Sequence, residues 1–172
     1  TDARHRRVGR AGANAVDQDI ISDELPGQCL GEGDYPALAG RVNRFARRAG
    51  PAGIGVYAAS DGHKVFTLSE TIGETTNNVA EYTAVIRSLQ TLIEKEIFTE
   101  KLKYILDSEL IVNQITGKYK VKLPHLKLLR QQVIDLVKDL RNKGQIKLMT
   151  FITVPREQNK KADKLVNDAL DK

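Results

Sequence analysis

From residue 53 onward the chain switches between two apolar periods, and the switches mark out its elements. GIGVYAAS, residues 53–60, is a short β-rich run. Asp61-Gly62 follows, a dipeptide that favours a tight hairpin turn because both residues tolerate positive φ. HKVFTLSETI, residues 63–72, alternates and predicts the return strand. From Asn78 to about Glu94, Ala80, Ala84, Val85, Leu89 and Leu92 fall at helical spacing. LKYILD, residues 102–107, predicts a buried strand ending in an acid. SELIVNQI, residues 108–115, predicts a short helix capped by Ser108. A longer helix follows from about Leu123 to Arg141, with Pro124 in its first turn and Lys143-Gly144 as its stop. IKLMTFITV, residues 146–154, predicts a strand, and residues 158–170 a last helix. The order β-β-α-β-α-α-β-α predicts a mixed α/β sandwich.

The first fifty residues have a different character. They hold eight arginines and no lysine, whereas residues 51–172 hold four arginines and fifteen lysines. They are rich in Gly and Ala, with little apolar periodicity. Such a shift marks a boundary. Residues 1–36 read as a disordered segment, and ALAGRVNRFA, residues 37–46, has room for one strand. The expected organisation is an atypical Arg/Ala/Gly-rich segment over 1–49, disordered or altered in reading frame, and a folded domain over 50–172.

Composition narrows the picture further. At 172 residues and 41% apolar content the chain suits one domain with a real core. Its single cysteine, Cys29, excludes an intramolecular disulfide and suits a reducing cytoplasm. No apolar run approaches the ~20 residues that span a bilayer, and no signal-peptide pattern opens the chain. The net charge of +5 makes polyanions natural partners without requiring them.

Three carboxylates then draw the eye. Glu81 lies one turn into its helix, Asp107 at the end of a buried strand, and Asp163 early in the last helix within NKKADKLV. Each alone has an ordinary reading: a helix-start charge, a strand-to-helix cap, a solvated surface acid. In this element order they can converge where α/β folds gather ligands, outside the carboxyl ends of strands. Clustered carboxylates repel unless a cation lies between them. Hard oxygen donors suit Mg²⁺, and two such ions ~4 Å apart serve in-line attack on phosphorus.

TTNNVAEYTAV, LDSELIVNQITGKYKVK and VPREQNKKADKLVNDAL together resemble type 1 ribonuclease H, in the bacterial and archaeal branch that lacks the basic protrusion. GPAGIGV, residues 50–56, resembles the segment after that family's first catalytic strand. The resemblance covers about residues 50–172. It implies a ribonuclease H-like mixed five-stranded sheet flanked by helices, with the first strand atypical or missing in this chain. It also implies hydrolysis of the RNA strand of RNA–DNA hybrids by a two-ion Mg²⁺ or Mn²⁺ site. Glu81, Asp107 and Asp163 match three of the four metal-binding carboxylates. Thr76, Asn77 and Asn78 match positions that contact the hybrid backbone and RNA 2′-hydroxyls, the group that tells RNA from DNA. Ser108 and Asn159 join them as nucleic-acid contacts. Lys118, Lys120 and Lys122 stand in for the protrusion as phosphate contacts. Arg156 takes the place of a histidine that aids product release; it cannot shuttle a proton near neutral pH, so phosphate contact is its expected role.

One motif departs from the pattern. The family's first acid lies about eight residues before the GPAG, and that count lands on Val42. RVNRFARRAGPAG contains no acid, and Glu32 and Asp34 stand at the wrong spacing. That acid normally touches both ions. The rival expectation is therefore a catalytically impaired hybrid-binding module. A DNA-directed nuclease of the same superfamily is a third, which the Asn pair before Glu81 disfavours. The chain is expected to act as a monomer.

Overall fold

The computed structural model describes residues 37–42 and 50–171, with 37–42 and Gly50 described by their backbone. Residues 1–36, 43–49 and 172, and with them most of the Arg/Ala/Gly-rich segment, lie outside the described residues.

Five strands form one sheet: β1 (Ala37–Val42), β2 (Gly50–Ser60), β3 (His63–Thr75), β4 (Thr99–Leu106) and β5 (Ile146–Thr153). Their order is β3-β2-β1-β4-β5. β2 runs antiparallel to both β1 and β3, while β4 runs parallel to β1 and β5. Four of the five strands therefore point the same way. Among the described residues four helices flank the sheet: α1 (Asn77–Glu94), α2 (Glu109–Ile115), α3 (Pro124–Asn142) and α4 (Lys160–Leu170). α1 packs on β1 and β2, and α3 lies over α1; α4 packs on β2 and β3.

The local causes are those of the sequence pattern. Asp61 and Gly62 turn the β2–β3 hairpin with φ of 50° and 77°, the two positive values a tight primed turn needs. Thr76 caps α1, its hydroxyl accepting from the Val79 N–H at 3.5 Å. The five stripe residues of α1 are buried, but so are Tyr82, Ile86, Ser88 and Thr91. The stripe is wider than the spacing predicted because α3 covers the helix face turned away from the sheet. Gly144, at φ +69°, ends α3 as expected. Gln145 beside it is buried, and its amide donates to the Leu92 and Ile97 carbonyls at 2.8 and 3.1 Å. That pair of bonds ties the end of α1 to the start of β5.

On β2, Ala52, Ile54, Val56 and Ala58 are buried on one face. Gly53 and Gly55 lie on the other, under α4. A Cβ at Gly55 would stand 2.4 Å from the Ala162 carbonyl oxygen and 2.8 Å from the Val166 nitrogen. The helix backbone lies so close that only hydrogen fits. α4 answers with Ala162, Val166 and Ala169 on its buried stripe.

Two details differ from the expected boundaries. The last helix starts at Lys160, because Arg156–Gln158 form a 3₁₀ turn first. The strand with room in ALAGRVNRFA is present as β1 and sits at the middle of the sheet, paired on both sides. Among the described residues no helix is long and apolar enough to cross a membrane.

Candidate active site

The strand directions fix where the acids go. β1, β3, β4 and β5 all end at one edge of the sheet. β3 hands over to α1, which brings Glu81 in its second turn; β4 ends directly before Asp107; β5 leads through the 3₁₀ turn to α4, with Asp163 in its first turn. The fold thus brings Glu81, Asp107 and Asp163 to one end of the sheet, where helix N-termini also point. All three are partly buried.

Thr76, Asn77 and Asn78 stand at the start of α1 at the same end, each partly exposed. Ser108 follows Asp107, and its hydroxyl accepts from the Ile111 N–H at 3.4 Å, so it caps α2 as the sequence predicted. Asn159 is buried, at 2% exposure, immediately before α4. Its carbonyl accepts from the Asp163 N–H at 3.1 Å. Arg156 Nη2 stands 4.0 Å from Asp163 Oδ1. This guanidinium already offers the carboxylate a cation, in a pair solvated enough to be weak. Lys118, Lys120 and Lys122 are exposed on the loop after α2.

The donor chemistry fits a hard divalent ion, since all three groups are carboxylates. The spacing is open: among the described residues no group of three or more His, Cys, Asp or Glu stands close enough to hold a metal ion. β1 runs beside β4 into this end of the sheet, and its six residues, ALAGRV, include no carboxylate. Val42, where the motif count places the family's first acid, is its last residue.

The pattern of residues did not single out Tyr82, Gln114 or Arg130. Tyr82 follows Glu81, is fully buried, and donates its hydroxyl to Gln114 Oε1 at 3.0 Å. Burial pushes its phenol up to about 12, against a smaller opposing pull from the Arg130 charge. Contacts between residues so far apart in the chain leave no periodic mark; the only sequence signal is an aromatic lying outside the apolar stripe.

A family model described as reverse transcriptase-like matches residues 40–169. Ribonuclease HI of Halobacterium salinarum is 33% identical over 142 residues, 79% of this chain and 67% of its own length. A bifunctional protein of Mycobacterium tuberculosis is 36% identical over 124 residues, 71% of this chain and 32% of its own length. The chain therefore spans about a third of the length of the mycobacterial relatives it matches. Among solved structures, LC11 ribonuclease H1 in complex with an RNA/DNA hybrid is 37% identical with a TM-score of 0.70, covering 79% of this chain and 96% of that one. Motif order, sheet order and these likenesses agree: the chain belongs to the type 1 ribonuclease H family, hydrolases of the ribonuclease H-like fold that generally use divalent metal ions.

Proposed function

We propose that this chain is a metal-dependent endonuclease that hydrolyses the RNA strand of RNA–DNA hybrids, leaving 3′-hydroxyl and 5′-phosphate ends. The observation that carries the reading is the arrival of Glu81, Asp107 and Asp163 at the end of the sheet where the TTNN segment opens α1. Glu81, Asp107 and Asp163, openly spaced without an ion, would draw in to hold two Mg²⁺ or Mn²⁺ ions, which would supply Lewis acidity for in-line displacement at phosphorus. Thr76, Asn77 and Asn78 present short polar side chains to the minor groove of the hybrid and its 2′-hydroxyls. Ser108 lines the same approach, while Asn159, buried immediately before α4, supports the turn that carries Asp163. Arg156 and the lysines at 118, 120 and 122 hold phosphates. A monomer working in the cytoplasm completes the reading, in keeping with a lone cysteine.

A second reading has its own observation. β1 carries no carboxylate in Ala37–Val42, so the acid that touches both ions in the family is missing from that strand. On this reading the chain grips hybrids and does not cut them. Cleavage by the unaltered chain separates the two, and Asp107→Asn tests whether these acids do it. The variant is expected to lower metal-dependent cleavage by at least a hundredfold, in the range seen when charge stabilisation is lost, while hybrid binding in chelator stays at the wild-type level. Undiminished cleavage by the variant would remove Asp107 from the site.

A further inference from the structure

Gln114 joins three helices. Its side-chain oxygen accepts from the Tyr82 hydroxyl of α1 at 3.0 Å, across thirty-two residues of chain. Its main-chain carbonyl accepts from Arg130 Nε of α3 at 2.6 Å, and the next carbonyl, of Ile115, accepts from Arg130 Nη2 at 3.4 Å. Gln114 itself lies in the last turn of α2, the helix that begins two residues after Asp107. The Tyr119 N–H donates to the Asn113 carbonyl at 2.9 Å, which fastens the lysine loop to the same turn.

Each arm leads to a part of the proposed site. Tyr82 is the neighbour of Glu81. α2 starts beside Asp107. The loop after α2 carries Lys118, Lys120 and Lys122. Apolar packing between these helices is non-directional and permits small slides. A buried hydroxyl–amide bond does not, because a slide leaves both groups desolvated and unsatisfied. We infer that the Tyr82–Gln114 hydrogen bond positions Glu81 against Asp107, with Arg130 locking α2 to α3 behind it. Neither Tyr82 nor Gln114 reaches reacting atoms; both are positioning residues. The inference rests on the proposed activity for its consequence and on geometry alone for its existence.

Tyr82→Phe tests it, since the ring stays and only the hydroxyl goes. Tyr104→Phe is the control. Tyr104 is equally buried, and its hydroxyl accepts from Ser88 Oγ of the same helix α1 at 3.1 Å, a bond that ties α1 to β4 rather than to α2. Amide hydrogen exchange of the metal-free full chain comes first. Tyr82→Phe is expected to speed exchange about tenfold in the first turns of α1 and in residues 111–115. Tyr104→Phe is expected to leave residues 111–115 at the wild-type rate. Equal effects of the two variants on α2, or none from Tyr82→Phe, overturn the inference. Hybrid hydrolysis in Mg²⁺ comes second. Tyr82→Phe is expected to lower kcat about tenfold through misplacement of Glu81, with KM kept within about twofold. Tyr104→Phe keeps both. An unchanged kcat, or a loss carried by KM, overturns the positioning role. A wild-type chain that cuts no hybrid sinks the proposed activity, and the exchange data still decide whether the bond positions the helices.

Discussion

At Gly55 one missing methyl group decides how close a helix can lie to the sheet. The Cβ of an alanine would meet backbone atoms of Ala162 and Val166 at 2.4 and 2.8 Å, and backbone cannot step aside as a side-chain end can. Gly55→Ala is therefore expected to destabilise the fold by about 3 kcal/mol, the upper range for overpacking. Urea unfolding checks it: the midpoint falls while the slope stays constant. An unchanged midpoint would mean that α4 is not seated where described. The consequence reaches the site, because α4 carries Asp163. Individual residues were unevenly legible in the sequence. Ser108 is a cap because a serine before an apolar run is a local signal, and the structure uses it so. Asp107 could be located because a buried strand stops there. Tyr82 and Gln114 could not be paired, because nothing local says which buried hydroxyl meets which amide.

Among the elements, those from β2 onward lie within a few residues of their expected spans, and β1 falls inside the ten residues with room for a strand. α1, β4, α3 and β5 each have an apolar stripe or run. β1 has neither period nor length. ALAGRV becomes a strand because β2 and β4 supply partners on both sides, a tertiary cause that six residues cannot announce. The 3₁₀ turn at Arg156–Gln158 is likewise a local detail below the resolution of a periodic reading. The loop after α2 is legible as a cluster of charge but not as a contact. If Lys118, Lys120 and Lys122 hold phosphates, replacing all three by alanine should lower the salt dependence of hybrid binding by roughly one unit of slope per lysine. Binding titrations over a range of KCl concentrations give that slope. A variant that binds more weakly with the wild-type slope would place the lysines away from phosphate.

For the molecule as a whole, strand direction does what no single motif can. Sending β1, β3, β4 and β5 to one edge gathers acids that lie far apart in sequence. The core beneath that edge sets its own pH limit. Burial raises the Tyr82 phenol to about 12 and that of Tyr104 higher still. In the unfolded chain both ionise near 10. The folded state is therefore at full advantage below pH 10 and loses stability as pH rises through the folded values. The urea midpoint should hold level up to about pH 9 and then fall, and Tyr82→Phe with Tyr104→Phe should flatten that fall relative to the wild-type chain. A midpoint indifferent to pH up to about 12 would contradict the burial of these phenols. The central claim is that the gathered acids make a hybrid-cutting site despite a first strand without a carboxylate. Incubating the 172-residue chain with end-labelled RNA–DNA hybrid in Mg²⁺, in Mn²⁺ and in chelator tests it most directly. The account predicts cleavage of the RNA strand, with 5′-phosphate products, in metal and none in chelator. Hybrid that is bound but left intact in both metals would contradict it and leave a binding module in its place.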